Sequence, residues 1–200
     1  VKGGSGVNTI DYSAYEAGVV VNLAEERGTL FELLKGFANV IGTDFDDSLY
    51  GNNQANLIRG GDGNDTLRGG LGEDTLDGGP GIDLLSERTN ADMWLTDDTI
   101  TIGSDVHQIT LIEAARLTGG LNPNIIDARE FTLGGVIIDG GSQIYLSDLK
   151  SAIPSPATDK SHNLILGNES TTLVKDLNNE IGATSQRHYS SNWRSDDYGR

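Results

Sequence analysis

Five nine-residue units follow one another without a gap through residues 42–86: GTDFDDSLY, GNNQANLIR, GGDGNDTLR, GGLGEDTLD and GGPGIDLLS. Position one is always glycine (Gly42, Gly51, Gly60, Gly69, Gly78). Position six is Asp47, Asn56, Asp65, Asp74 and Asp83, and position eight is Leu49, Ile58, Leu67, Leu76 and Leu85. A unit this short cannot bury a face alone, so its neighbours must stack on it. The first six residues carry Gly and Asx turn chemistry, and the last three carry one aliphatic between polar neighbours, so each unit reads as a turn followed by a short strand. Side chains alternate faces along a strand, and only the position-eight residue points inward. Two units then make one coil of a thin solenoid. Successive position-eight residues face each other across it, and residues eighteen apart stack. A disordered Gly/Asp-rich linker would not require an aliphatic at every ninth position.

Charge is concentrated in the same segment. The chain has 30 Asp and Glu against 14 Lys and Arg, a net charge of -16, and no cysteine, which removes disulfide scaffolds and cysteine-ligated zinc or iron–sulfur sites. Nine acidic residues and two arginines within residues 42–86 contribute -7 of that total. The acidic balance argues against nucleic acid and anionic membrane surfaces, and no run approaches the ~18 apolar residues of a membrane span. Cations are the natural partners. Glycine at positions one, two and four allows positive φ and crowds backbone carbonyls, which then need a donor or a cation. The eighteen-residue stack sets Asp47 over Asp65, Asn56 over Asp74 and Asp65 over Asp83. Carboxylates with turn carbonyls suit Ca²⁺, which takes six to eight oxygens at ~2.3–2.6 Å, better than Zn²⁺ or octahedral Mg²⁺. An EF-hand reading of Asp62 to Glu73 fails, because Leu67 stands where the sharp turn requires glycine and Gly-rich segments replace the helices.

GGDGNDTLR, GGLGEDTLD and GGPGIDLLS fit G-G-x-G-x-D-x-U-x in full, and in this they resemble the nonapeptides of the RTX (repeats-in-toxin, hemolysin-type) family. The resemblance implies a right-handed parallel β-roll with calcium in its turns, in bacterial proteins exported unfolded by type I secretion. In that family a site takes the carbonyls of positions two and four and the Asp of one turn, with the carbonyls of positions one and three and the Asp two units later. Carried over, one site uses Thr43, Phe45, Asp47, Gly60, Asp62 and Asp65. A second uses Asn52, Gln54, Asn56, Gly69, Leu71 and Asp74, and a third Gly61, Gly63, Asp65, Gly78, Pro80 and Asp83. The second departs from the family pattern at Asn52, Gln54 and Asn56 and is expected to be the weakest or empty, so two to three calcium ions are expected.

The flanks repeat each other loosely. GGSGVNTID (3–11) is one further unit, with Asn8 at position six and Ile10 at position eight. Residues 8–18 align with 124–134 through Asn8/Asn124, Ile10/Ile126, Tyr15/Phe131 and Gly18/Gly134, and residues 34–50 align with 111–127. Runs such as Val19 to Leu23 and Val136 to Asp139 predict strands of wider coils that cap the roll. From Ser151, with IPSPATDKS as a boundary, the pattern becomes less regular, and the tail from Thr184 has no aliphatic residue and reads as disordered. No cleavable signal opens the sequence, whose start reads as a cut inside a larger protein, and the tail lacks the acidic, apolar ending of a type I export signal.

No catalytic constellation is evident. His107, His162 and His188 have no metal-pair spacing and read as surface or half-buried residues, and there is neither a G-x-S-x-G elbow nor a P-loop. Asp97 with Asp98, and Asp44 with Asp46, read as solvated turn residues rather than acid/base pairs. Trp94, Tyr12, Tyr15, Phe37 and Phe45 read as coil-packing aromatics before a carbohydrate platform.

The expectation is an all-β chain: a parallel β-roll or β-solenoid at 42–86, an N-terminal cap at 1–41, a C-terminal flank at 87–150 and a less regular segment at 151–200. Its expected function is calcium binding in a secreted, extracellular bacterial protein that folds on Ca²⁺ after export. It is not expected to be an enzyme itself. A glycan- or cell-surface-binding adhesin module, or the non-catalytic part of a secreted hydrolase or polysaccharide-modifying enzyme with an adjacent domain, is the alternative.

Overall fold

The computed structural model describes residues 1–31, 33–120 and 124–139, together with the strand backbones at 164–167 and 172–175. Every regular element among them is a β-strand, and the strands form two sheets. The first sheet runs β1 (Thr9–Asp11), β4 (Asn39–Ile41), β6 (Leu57–Arg59), β8 (Thr75–Asp77), β12 (Asp105–Thr110), β11 (Thr99–Ile102), β10 (Met93–Thr96), β14 (Ile125–Glu130) and β16 (Leu164–Gly167). The second runs β17 (Thr172–Lys175), β15 (Gly135–Asp139), β13 (Ala114–Thr118), β9 (Leu84–Arg88), β7 (Thr66–Arg68), β5 (Ser48–Tyr50), β2 (Val20–Asn22) and β3 (Arg27–Gly28).

Through the repeats the chain alternates between the sheets. β5, β7 and β9 pair in parallel with Leu49, Leu67 and Leu85 in register, while β4, β6 and β8 align Val40, Ile58 and Leu76. All six of these aliphatics are fully buried. Each three-residue strand has a single buried centre, because its two neighbours face the other side of the pleat. One aliphatic contributes about 1.5–3 kcal/mol on burial, which is little for a unit of nine residues. The flanking coils bury more: β9, β13, β14 and β15 each turn two side chains inward, and Phe131, Met93 and Ile100 are fully buried beside them.

The expected strands at Val19 to Leu23 and Val136 to Asp139 are present as β2 and β15. The alignment of 8–18 with 124–134 also holds in space, since Ile10 and Ile126 both lie inward on the first sheet and Gly18 and Gly134 each precede a strand of the second. That of 34–50 with 111–127 is corrected: Val40 and Leu117, and Leu49 and Ile126, lie on opposite sheets. The expected uniform parallel coils are corrected after β9. β10, β11 and β12 form an antiparallel meander inserted in the first sheet, between β8 and β14, so that two additional strands lie on that side alone. Two-residue connections at Asp97–Asp98 and Gly103–Ser104 explain it, since loops this short join antiparallel neighbours, and Gly103 takes φ +62° as the second turn demands. At the other end β3 closes antiparallel on β2. β16 and β17 extend the two sheets in parallel beside β14 and β15. The boundary at Ser151, the tail from Thr184, His162 and His188 lie outside the described residues.

Candidate metal centre

Position six of every unit immediately precedes a strand, so strand register carries these residues into two rows, one on the turns entering each sheet. The row entering the second sheet is Val19, Asp47, Asp65, Asp83 and Glu113. The row entering the first is Asn8, Ala38, Asn56 and Asp74, continued by His107, which lies within β12 and level with Asp74. Hydrogen bonds tie each row along the solenoid. In the first-named row Val19 N–H donates to Asp47 Oδ1 (2.7 Å), Asp47 N–H to Asp65 Oδ1 (2.8 Å), Asp65 N–H to Asp83 Oδ1 (2.7 Å) and Asp83 N–H to Glu113 Oε2 (3.0 Å).

This ladder uses one oxygen of each aspartate. Asp47 Oδ2 accepts from Thr43 N–H at 2.6 Å, whereas Asp65 Oδ2 and Asp83 Oδ2 are buried without a hydrogen-bond partner. Burial, reinforced by neighbouring carboxylates, pushes the Asp65 carboxyl up to about 7 and that of Asp83 up to about 6, while the backbone N–H bonds oppose the rise. Buried anionic oxygens without partners are costly unless a cation or a proton meets them.

The turn carbonyls crowd the same space. Gly61 and Gly63 take φ +119° and +120°, and a Cβ on either would run into the Thr43 or Phe45 backbone of the coil before. Only glycine allows that approach. Gly60 and Gly78 are likewise shielded by the carboxylates of Asp65 and Asp83. The side chains of Phe45, Asp62, Leu71 and Pro80 are exposed, so only their backbone oxygens are left as candidate donors to the stack. The carbonyls of Gly78 and Pro80 accept from Gly61 and Gly63 N–H at 3.2 and 3.1 Å, and a second lone pair remains on each. The first and third expected sites thus combine orphaned carboxylate oxygens with converging carbonyls, a hard donor set that fits Ca²⁺.

The second expected site is built differently. Asn56 Nδ2 donates to Ala38 O (2.6 Å) and to Asn52 Oδ1 (3.1 Å), Asn52 N–H donates to Asn56 Oδ1 (2.7 Å), and Gln54 N–H donates to Asn52 Oδ1 (2.9 Å). Asp74 Oδ1 accepts from Asn56 N–H at 2.8 Å, and its Oδ2 lies 2.8 Å from His107 Nδ1. Gly69 N–H donates to Glu87 Oε1 at 2.7 Å, and Leu71 N–H to Asn52 O at 3.2 Å.

His107 corrects the reading of this residue as surface or half-buried: it is wholly enclosed. The signal lay in the alternation of β12, where His107 shares the inward face with Ile109 while Val106, Gln108 and Thr110 face out. Sequence reasoning also missed Glu87 and Glu113. Glu87 is buried on β9, which runs straight on where the repeat would turn. Its side chain takes the Gly69 N–H, and its own carboxyl is pushed up to about 7 by burial despite Arg68 Nε at 3.6 Å. Asp97 is a turn residue that accepts from Thr132 N–H and Oγ1, which holds its carboxyl below the usual range. Tyr12 is buried with its hydroxyl on Thr29 O (2.9 Å), whereas Phe45 and Trp94 remain substantially exposed.

Residues 38–61 and 50–85 match the family model of the RTX calcium-binding nonapeptide repeat, in four copies across the two stretches. No curated protein matches the chain.

Proposed function

We propose, from the premise that residues 38–85 are RTX calcium-binding nonapeptide repeats, that this chain is a calcium-dependent folding segment of a secreted bacterial protein. The observation that carries the reading is the pair of buried, unpartnered oxygens, Asp65 Oδ2 and Asp83 Oδ2, inside turns lined with carbonyls. Calcium would be held by Thr43, Phe45, Asp47, Gly60, Asp62 and Asp65 in one turn pair and by Gly61, Gly63, Asp65, Gly78, Pro80 and Asp83 in the next. It supplies the positive charge that these oxygens lack. Asp65 belongs to both sets, so the two fillings are coupled. Without the ion, burial of adjacent carboxylates opposes stacking, and one aliphatic per unit is little to set against it.

Binding only to the folded state stabilises it by RT ln(1 + [L]/Kd), about 2.7 kcal/mol per site at a hundredfold excess over Kd. Low free calcium inside the cell would leave the segment unfolded and exportable, and extracellular calcium would fold it, consistent with the type I route that the family resemblance implies. The role proposed for this chain is structural and non-enzymatic. The deciding experiment is far-UV circular dichroism during a calcium titration, with magnesium as control. A coil-to-β transition driven by calcium alone is expected, and a spectrum already β-rich in chelator and indifferent to calcium overturns the proposal.

A further inference from the structure

We infer that the roll takes its cations on one side only, and that on the other side the chain's own nitrogen donors close the turns, with His107 Nδ1 on Asp74 Oδ2 standing where an ion would. The inference rests on the calcium reading and assigns that binding to one row of turns.

The meander brings β12 in beside β8, pairing Gln108 with Thr75, and this sets His107 level with Asp74, at the place a further position-six aspartate would hold in an unbroken solenoid. Both residues are buried, and the ring nitrogen lies 2.8 Å from the carboxylate oxygen. Since a carboxylate oxygen accepts, Nδ1 carries the proton. The other end of this turn pair is closed by an amide, because Asn56 Nδ2 points at Ala38 O and Asn52 Oδ1. The hairpin also covers the turn from outside, where Gly72 N–H donates to Asp105 Oδ2 at 3.1 Å. Each side-chain oxygen of Asn52, Asn56 and Asp74 has an N–H directed at it. An ion entering here would meet N–H dipoles with their positive ends turned toward it, and would have to displace the ring from Asp74. The opposite row also directs N–H groups at its four carboxylates, at both oxygens of Asp47, but it has no imidazole or side-chain amide in the stack, and it leaves Asp65 Oδ2 and Asp83 Oδ2 open.

The test is equilibrium dialysis of the whole chain against calcium, with circular dichroism at saturating calcium as the check of folding. The wild type is expected to bind two ions, one for each turn pair that shares Asp65. Asp74→Asn is expected to keep both, with its midpoint within about twofold, because an amide can still pair with the ring in its other tautomer. Asp83→Asn is expected to lose one. A wild type with three ions, or an Asp74→Asn variant one ion short, overturns the inference and leaves the calcium reading standing. Absence of calcium binding by the wild type overturns both. Nitrogen-edited NMR of the wild type gives an answer independent of any variant: a protected His107 Nδ1–H resonance at saturating calcium is expected, and its loss on saturation overturns the inference.

Discussion

The two rows of turns are made by the same repeat, one short strand apart, yet they solve opposite electrostatic problems. On the turns entering the second sheet the stacked residues are Asp47, Asp65, Asp83 and Glu113, and the ladder leaves Asp65 Oδ2 and Asp83 Oδ2 buried and unmatched. On the turns entering the first sheet they are Ala38, Asn56, Asp74 and His107, and the single carboxylate is met by N–H groups at both oxygens. Turns of one repeat thus offer open carboxylate oxygens in one row and side-chain nitrogen donors in the other, according to the residues stacked in each. Alternating units of a ninefold repeat feed alternating rows, so a change in every second unit alters one side of the solenoid and leaves the other intact.

The largest effect is expected from Asp65→Ala, which removes the residue common to both acidic turn pairs. The calcium midpoint of the coil-to-β transition should rise by about tenfold or more, or the transition should vanish, as followed by circular dichroism. A chain that folds at the wild-type calcium level without Asp65 would break the contrast between the rows. Next comes Gly61→Ala. Its φ of +119° is unfavourable for an L side chain, and the new methyl would press on the Thr43 carbonyl. A loss of about 1–3 kcal/mol is expected in calcium-saturated denaturant unfolding, from the backbone conformation alone.

Acidity offers a subtler comparison, because protons can stand in for the missing cation. Burial raises the folded-state pKa of Asp65 to about 7 and of Asp83 to about 6, against about 3.9 for an unfolded aspartate. Between these values the folded chain binds more protons than the unfolded one, so stability falls as pH rises. In chelator, the folded fraction should therefore be larger near pH 5 than near pH 7.5, and calcium should flatten this dependence. A chelated chain that gains structure as pH rises would contradict the assignment of these two carboxyls. The smallest effect is expected from Asp62→Ala. This side chain is exposed and the proposed site would use only its carbonyl, so calcium midpoint and stability should stay within about 0.5 kcal/mol of wild type.

The central coils were legible because the repeat encodes its own long-range contacts. A ninefold period with one aliphatic per unit leaves a single economical arrangement, in which residue i meets residue i+18, and Leu49, Leu67 and Leu85 do so on one sheet while Ile58 and Leu76 do so on the other. The departure at Asn52, Gln54 and Asn56 was legible for the same reason, since Asn56 had to stack on Asp74. Outside the period that logic fails. Glu87 still keeps the eighteen-residue step to Gly69, whereas His107 and Glu113 meet their partners at separations of 33 and 30 residues, which depend on how the meander folds back.

What the residues determined alone is local: turns where glycine and Asx recur, one inward side chain per short strand, an acidic row dense enough to want a cation. These follow from steric limits on φ, the alternation of a pleated strand and the cost of burying like charges, all of which act within a unit or between units eighteen apart. What the tertiary structure decided is how each row ends. The short connections at Asp97–Asp98 and Gly103–Ser104 turn three strands antiparallel and return the chain from β10 to the place beside β8, which puts an imidazole opposite Asp74 and a glutamate opposite Asp83. That choice depends on how sheet pairing and core burial balance over some thirty residues, a sum no single unit contains.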